Sequence, residues 1–207
     1  MSLLKRFVLF AIVIAIAMVF DVITTGKTSA TDDTDPVVVN LDINNTISIS
    51  CSTPITMSAI TGTGQSTMGT SNRSTCTVIT NNSAGYDLKW VSSGAGTMVS
   101  GGDSIAAYTP AVADTPETWS VAGADSEWGG HVGKDSTTVD TGVWGALDTY
   151  AGGKWLNIAT TNRTIATRNT ETAGDTEYVY FGAEVGASKF QPAGTYTNTV
   201  TMTASTK

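Results

Sequence analysis

The chain is 207 residues long, with 11 basic and 18 acidic side chains, a formal net charge of −7, and only 14% charged residues against 41% hydrophobic ones. That length fits one domain, and the balance excludes a disordered acidic tail, a coiled coil and a long-helix bundle. Polarity comes instead from 36 threonines, β-branched residues that are penalised in helices and suit the solvated face of a pleated strand, so an all-β fold is expected.

The N-terminus sets the compartment. Lys5 and Arg6 precede an apolar run over residues 7–20, and Thr28-Ser29-Ala30 places small residues where a signal peptidase reads. Residues 1–30 therefore read as a cleaved signal peptide, because the run is short for the roughly 20 apolar residues that span a bilayer. An uncleaved N-terminal anchor, with Val22 and Ile23 extending the run, is the alternative and the only expected membrane contact. Cleavage leaves 8 basic and 17 acidic residues, a net charge of about −9. Such a surface repels phosphates, so nucleic acid is excluded as a partner. The remaining residues, 31–207, are expected to form a single domain, secreted or held at the cell surface.

Residues 31–43 begin as an acidic arm with Asp32, Asp33 and Asp35, become extended at Pro36, and then carry Val37, Val39, Leu41 and Ile43 at strand spacing. The same parity continues through Ile47, Ile49 and Cys51. Fifteen residues are long for one strand, so Asn44-Asn45 predicts a bend or a change of sheet. Cys76, Val78 and Thr80 share a second apolar face, and after a turn at residues 81–85 the pattern resumes with Tyr86, Leu88 and Trp90, which predicts a hairpin. Cys51 and Cys76 are the only cysteines and both fall on inward parity. In an oxidising compartment they read as one disulfide between the first strand and the next.

Residues 92–153 hold 12 of the 21 glycines and read as loops with short strands. Trp119, Trp128, Trp144 and Trp155 fall in or beside this stretch. Packing beneath the loops is their first reading; as ligand-facing aromatics they would form a stacking platform for a surface glycan. Glu127 lies close in sequence to the lone His131, but no GxSxG or HExxH motif accompanies them, so a loop histidine is expected and catalysis is not. The sequence contains no metal-ligand pattern and implies no cofactor. Further on, Val179, Phe181, Ala183 and Val185 share a face. Tyr196, Val200, Met202 and Ala204 then oppose a row of five threonines at 195, 197, 199, 201 and 203.

Several of these pieces together resemble the spore coat protein U family of pilin-like secreted subunits, relatives of chaperone-usher fimbrial subunits. They are the alternating strand ending at Cys51, Ser74-Thr75-Cys76-Thr77-Val78, and the Gly85-Tyr86-Asp87-Leu88 segment. Val143-Trp144-Gly145 adds a mid-chain match. The longest match runs from Ala183-Glu184-Val185 to Gln191-Pro192-Ala193-Gly194-Thr195-Tyr196-Thr197-Asn198-Thr199-Val200-Thr201. The resemblance implies an immunoglobulin-like antiparallel β-sandwich that assembles by strand exchange. Val37, Val39, Leu41 and Ile43 are then the candidate subunit-assembly strand; parity does not distinguish a donated strand from the protein's own first strand. The expected function is that of a structural subunit of a surface fibre, pilus or coat, with copies of itself or related subunits as partners. The alternative is a monomeric secreted carbohydrate-binding or adhesin module.

Overall fold

Alternation decides the local structure. In Arg73–Thr80 every second residue is buried, and in Tyr86–Ser92 the residues 86, 88, 90 and 92 are buried while their neighbours are half exposed, the signature of strands with one face in a core. A computed structural model describes residues 34–207. The expected signal peptide at 1–30 and the arm's first residues, including Asp32 and Asp33, lie outside the described residues. In chain order the elements are β1 (Ile47–Cys51), β2 (Gly64–Gln65), β3 (Arg73–Thr80), β4 (Tyr86–Ser92), β5 (Met98–Ser100), β6 (Asp103–Ala107), β7 (Glu117–Thr118) and β8 (Ser126–Val132). A one-turn helix α1 (Thr141–Trp144) follows, then β9 (Lys154–Trp155), β10 (Arg163–Arg168), β11 (Thr172–Val185) and β12 (Val200–Thr206).

The body of the protein, Ile43–Lys207, is a sandwich-like all-β fold. One sheet has the order β1-β3-β11-β8-β6-β5, with β2 beside the end of β11; a second has the order β10-β4-β12. β7 and β9 form a separate two-stranded ribbon. The pairs are antiparallel except for β6 with β8, which run parallel through Ala106–Glu127 and Ala107–Trp128. Val78, Val179 and Phe181 of the large sheet join Tyr86, Leu88, Trp90 and Ile165 of the small sheet in one apolar cluster. Burying a side chain of this size contributes about 1.5–3 kcal/mol. Tyr180, of opposite parity to its neighbours, joins Tyr108, Trp119, Tyr150 and Trp155 in a second cluster. The central strand β11 is therefore covered on both faces.

Cys51 and Cys76 stand directly opposite each other in the β1–β3 register and are joined by a disulfide. The expected hairpin between residues 76–80 and 86–90 does not form. β3 belongs to the large sheet and β4 to the small one, so residues 81–85 carry the chain across the core. Two facing strands show the same alternation whether they pair or oppose each other, and sequence periodicity is blind to the difference. Gly85 makes the crossing possible: its φ is +81°, and a Cβ there would lie 2.1 Å from the Arg168 carbonyl oxygen.

The predicted long first strand is also shorter than its pattern. Strand pairing begins at Ile47, and residues 34–46 carry no strand or helix. Thr46 instead marks the entry: its N–H donates to Asn81 Oδ1 at 2.7 Å, and Asn81 Nδ2 donates to the Asn44 carbonyl at 3.0 Å. The expected final strand from residue 195 likewise begins its ladder at Val200. Thr197 exchanges two backbone hydrogen bonds with Val99 of β5, each 2.9 Å, while Val200 pairs with Ser92 of β4. The chain thus passes from the edge of the large sheet to the small one within three residues. Its row of five threonines is exposed as expected.

Candidate functional site

Residues 34–42 are exposed throughout. Val37, Val39 and Leu41 are 83–86% accessible, and Ile43, the first residue of the body, is 77% accessible. Four large apolar side chains at two-residue spacing, left in solvent, lose the stabilisation that burial would provide.

In the body, a groove of about 360 Å³, lined by apolar side chains and also by Ser52, Thr53, Ser74, Thr197, Asn198 and Thr199, starts at Cys51, the last residue of β1. Pro54, Ile55 and Met57 line it from the irregular segment after β1. Met98 contributes from β5, Phe181 from β11, and Tyr196, Val200 and Met202 from the run that switches sheets. β1 and β12 each close a sheet, with a strand partner on one side only, so both present backbone N–H and C=O groups along a free edge. Tyr196 is fixed by its hydroxyl, which donates to the Pro192 carbonyl at 2.7 Å and accepts from Gln191 Nε2 at 2.7 Å. Trp128, also lining the groove, donates from its indole nitrogen to the Gly96 carbonyl at 2.9 Å. The groove went unseen in the sequence because residues 52–63 carry apolar side chains without a period.

The four loop-region tryptophans do not form an open platform. Trp119, Trp128, Trp144 and Trp155 are 7%, 3%, 4% and 0% accessible. Trp119 stacks on Tyr108 with ring centres 4.6 Å apart, and Trp155 stacks on Tyr150 at 5.0 Å. The cause is β8, a buried strand in place of the expected loop. Its Gly129 and Gly130 clear space for aromatic neighbours: a Cβ on Gly130 would lie 2.7 Å from the Trp90 ring. Trp119 Nε1 donates to Glu184 Oε2 at 2.6 Å. Trp144 alone among the four borders a second cleft, with its indole N–H donating to the Ile165 carbonyl at 3.2 Å.

His131 is likewise in β8 and fully buried, contrary to the expected loop position. Nδ1 lies 3.0 Å from the Lys154 carbonyl and Nε2 lies 3.2 Å from Asp148 Oδ1, so both ring nitrogens are engaged in tying β8 to β9 and to the loop before it. Glu127, the carboxylate close to it in sequence, accepts from the Thr109 N–H at 3.3 Å instead, and burial raises its pKa.

A buried polar cluster links the sheets. The Tyr86 hydroxyl lies 3.0 Å from Asp175 Oδ2 and 3.2 Å from Glu177 Oε1. Arg168 Nη1 donates to Asp175 Oδ1 at 2.9 Å, and Thr138 Oγ1 donates to Glu177 Oε1 at 2.8 Å. Glu177 Oε2 is buried without a partner. Burial, reinforced by Asp175, raises the Glu177 pKa above the usual carboxylate range, and burial beside both carboxylates holds the Tyr86 proton far more tightly than in a free phenol.

Among the described residues no group of three or more His, Cys, Asp or Glu side chains is placed to hold a metal ion, and no helix is long and apolar enough to cross a membrane. Compared with known proteins, the chain matches no family model, no curated protein and no solved structure. Fold and site together define an all-β, disulfide-bonded, sandwich-like domain with an exposed apolar arm and a partly apolar groove at its sheet edges. The disulfide fits an oxidising, extracellular setting.

Proposed function

We propose that the protein is an extracellular structural subunit that assembles into a surface fibre or coat by strand pairing between copies. The arm at residues 37–43 of one copy lies in the groove of the next, pairing its backbone with a free sheet edge and setting its alternate apolar side chains against Ile55, Met57, Met98 and Phe181. Backbone pairing supplies affinity in this mode, and the side-chain pockets supply register. The observation that carries the reading is the coexistence of four accessible apolar side chains at strand spacing with a partly apolar groove beside unpaired edges. The resemblance to pilin-like spore coat protein U subunits points the same way and rests on the motifs alone.

The competing reading, a monomeric sugar-binding module built on exposed tryptophans, loses its platform because those rings are buried. Deleting residues 34–43 tests the proposal. The exported full chain should form oligomers by light scattering and filaments by negative-stain microscopy, while the deleted chain stays folded and monomeric. A wild-type chain that remains monomeric at high concentration, or a deletion that unfolds the body, contradicts it.

A further inference from the structure

Four Asn-x-Ser/Thr triplets begin at Asn44, Asn72, Asn81 and Asn162. In an exported chain such a triplet accepts an N-linked glycan where the folded protein leaves the asparagine amide free at the surface, and the fold separates the four. Asn72 is fully buried; its Nδ2 donates to the Phe181 carbonyl of β11 at 2.8 Å, and its Oδ1 accepts from the Gly69 N–H at 2.8 Å. A saccharide on that nitrogen has no place in the folded chain. Asn81 is exposed, but its amide is the clamp at the start of β1: Nδ2 donates to the Asn44 carbonyl at 3.0 Å and Oδ1 accepts from the Thr46 N–H at 2.7 Å. Asn44 is exposed as well, yet it directly follows Ile43 at the base of the arm, and the hydroxyl of its triplet, Thr46 Oγ1, donates to Asn81 Oδ1 at 3.3 Å.

Asn162 differs on each count. It ends an irregular loop immediately before β10, and Thr160, Thr161, Asn162 and Thr164 are all exposed. Neither the Asn162 amide nor the Thr164 hydroxyl takes part in a hydrogen bond among the described residues, so both groups of this triplet are free, and a glycan here displaces nothing. The location has a use. β10 is an edge of the small sheet and pairs with β4 alone, so its other side presents unpaired backbone N–H and C=O groups, a template for unwanted pairing with another chain. A bulky hydrophilic group at the entry to β10 screens that edge and leaves β12, the opposite edge of the same sheet, open.

We propose that Asn162 is an N-glycosylation site and that its glycan guards the free edge of β10. The inference rests on the extracellular setting of the proposed function but not on strand exchange, since Asn162 lies in neither the arm nor the groove. The donor is an oligosaccharide carried on a lipid phosphate. Asn162 Nδ2 forms a bond to the anomeric carbon, the bond from that carbon to the phosphate oxygen breaks, the lipid phosphate leaves with the bonding pair, and the amide nitrogen gives up one proton to a base of the transferring enzyme. Nothing is oxidised or reduced.

The test is mass spectrometry of the full chain purified from the surface of the cells that make it. Trypsin cuts after Lys154 and Arg163 and releases residues 155–163 as one peptide, and electron-transfer fragmentation assigns any added mass within it. The expected result is a saccharide on Asn162, with Asn72 and Asn81 bare. Exported Asn162→Gln and Thr164→Ala chains should lose that mass, and Thr164→Ser, which keeps the hydroxyl, should retain it. Deleting residues 34–43 should leave the modification unchanged, so loss of assembly and loss of the glycan are read separately. A bare Asn162 in the native chain, a glycan on Asn72 or Asn81 in its place, or an added mass on residues 155–163 that survives Asn162→Gln overturns the proposal.

Discussion

Glu177 should make the protein less stable as pH rises, and Glu177→Gln should abolish that dependence. The side chain is fully buried on β11, beside the disulfide through its register partner Cys76. Arg168 is committed to Asp175, so an ionised Glu177 has hydroxyl donors on one oxygen and nothing on the other. Burial raises its folded pKa above the ordinary 4.5. The folded state then binds this proton more tightly than the unfolded state, and the linkage sign follows. The stabilisation is complete below the unfolded pKa and is lost as pH climbs from 4.5 through the folded value.

Glutamine keeps the shape and removes the charge. Relative to wild type, the variant should be close to neutral near pH 4.5 and more stable at pH 8 by about 1–3 kcal/mol, the scale of relieving an unpaired buried group. For a domain of this size that is roughly 2–10 °C in Tm. Thermal unfolding of both proteins at four pH values, with the disulfide intact, measures the difference and cancels the contribution of Glu127, which has the same sign. Parallel pH profiles for the two proteins, or a variant that loses stability as pH rises relative to wild type, would refute the reasoning.

Three further outcomes are expected. Replacing Cys51 and Cys76 with Ser opens a loop spanning 25 residues and should lower stability by about 3–4 kcal/mol in urea titrations on the chain-entropy model; an unchanged midpoint would mean that the β1–β3 ladder alone holds the edge. Gly130→Ala places a methyl group against the Trp90 ring and should cost about 1–3 kcal/mol by overpacking, with a shift in tryptophan emission; a neutral result would place β8 elsewhere. Tyr86→Phe removes the hydroxyl shared by Asp175 and Glu177 and should cost about 1–3 kcal/mol at pH 7, read by calorimetry.

Strand positions were legible in the sequence wherever one face is buried and the other wet. β3, β4 and the even face of residues 196–204 follow from alternation, and the disulfide follows from two cysteines of inward parity. Partnership was not legible: β3 and β4 look like a hairpin but lie in opposite sheets, because a facing pair and a paired pair impose the same period. β8 was missed because both its faces are covered, which erases alternation, and because Gly129 and Gly130 signal loop in isolation and close packing in context. The arm reads as a strand on periodicity alone, and only accessibility shows its apolar side chains unburied. The groove is assembled from segments far apart in the chain, so no local pattern announces it.

Cross-linking between two variants that each carry one added cysteine tests the central claim most directly. One carries Leu41→Cys on the arm and the other carries Met57→Cys in the groove, each with the native disulfide intact. Strand exchange predicts that mixing the two under mild oxidation yields a covalent heterodimer, and that competing wild-type chain suppresses it. Absence of that product, with a Leu41→Cys, Met57→Cys double variant that instead closes efficiently within single chains, would contradict assembly through the arm.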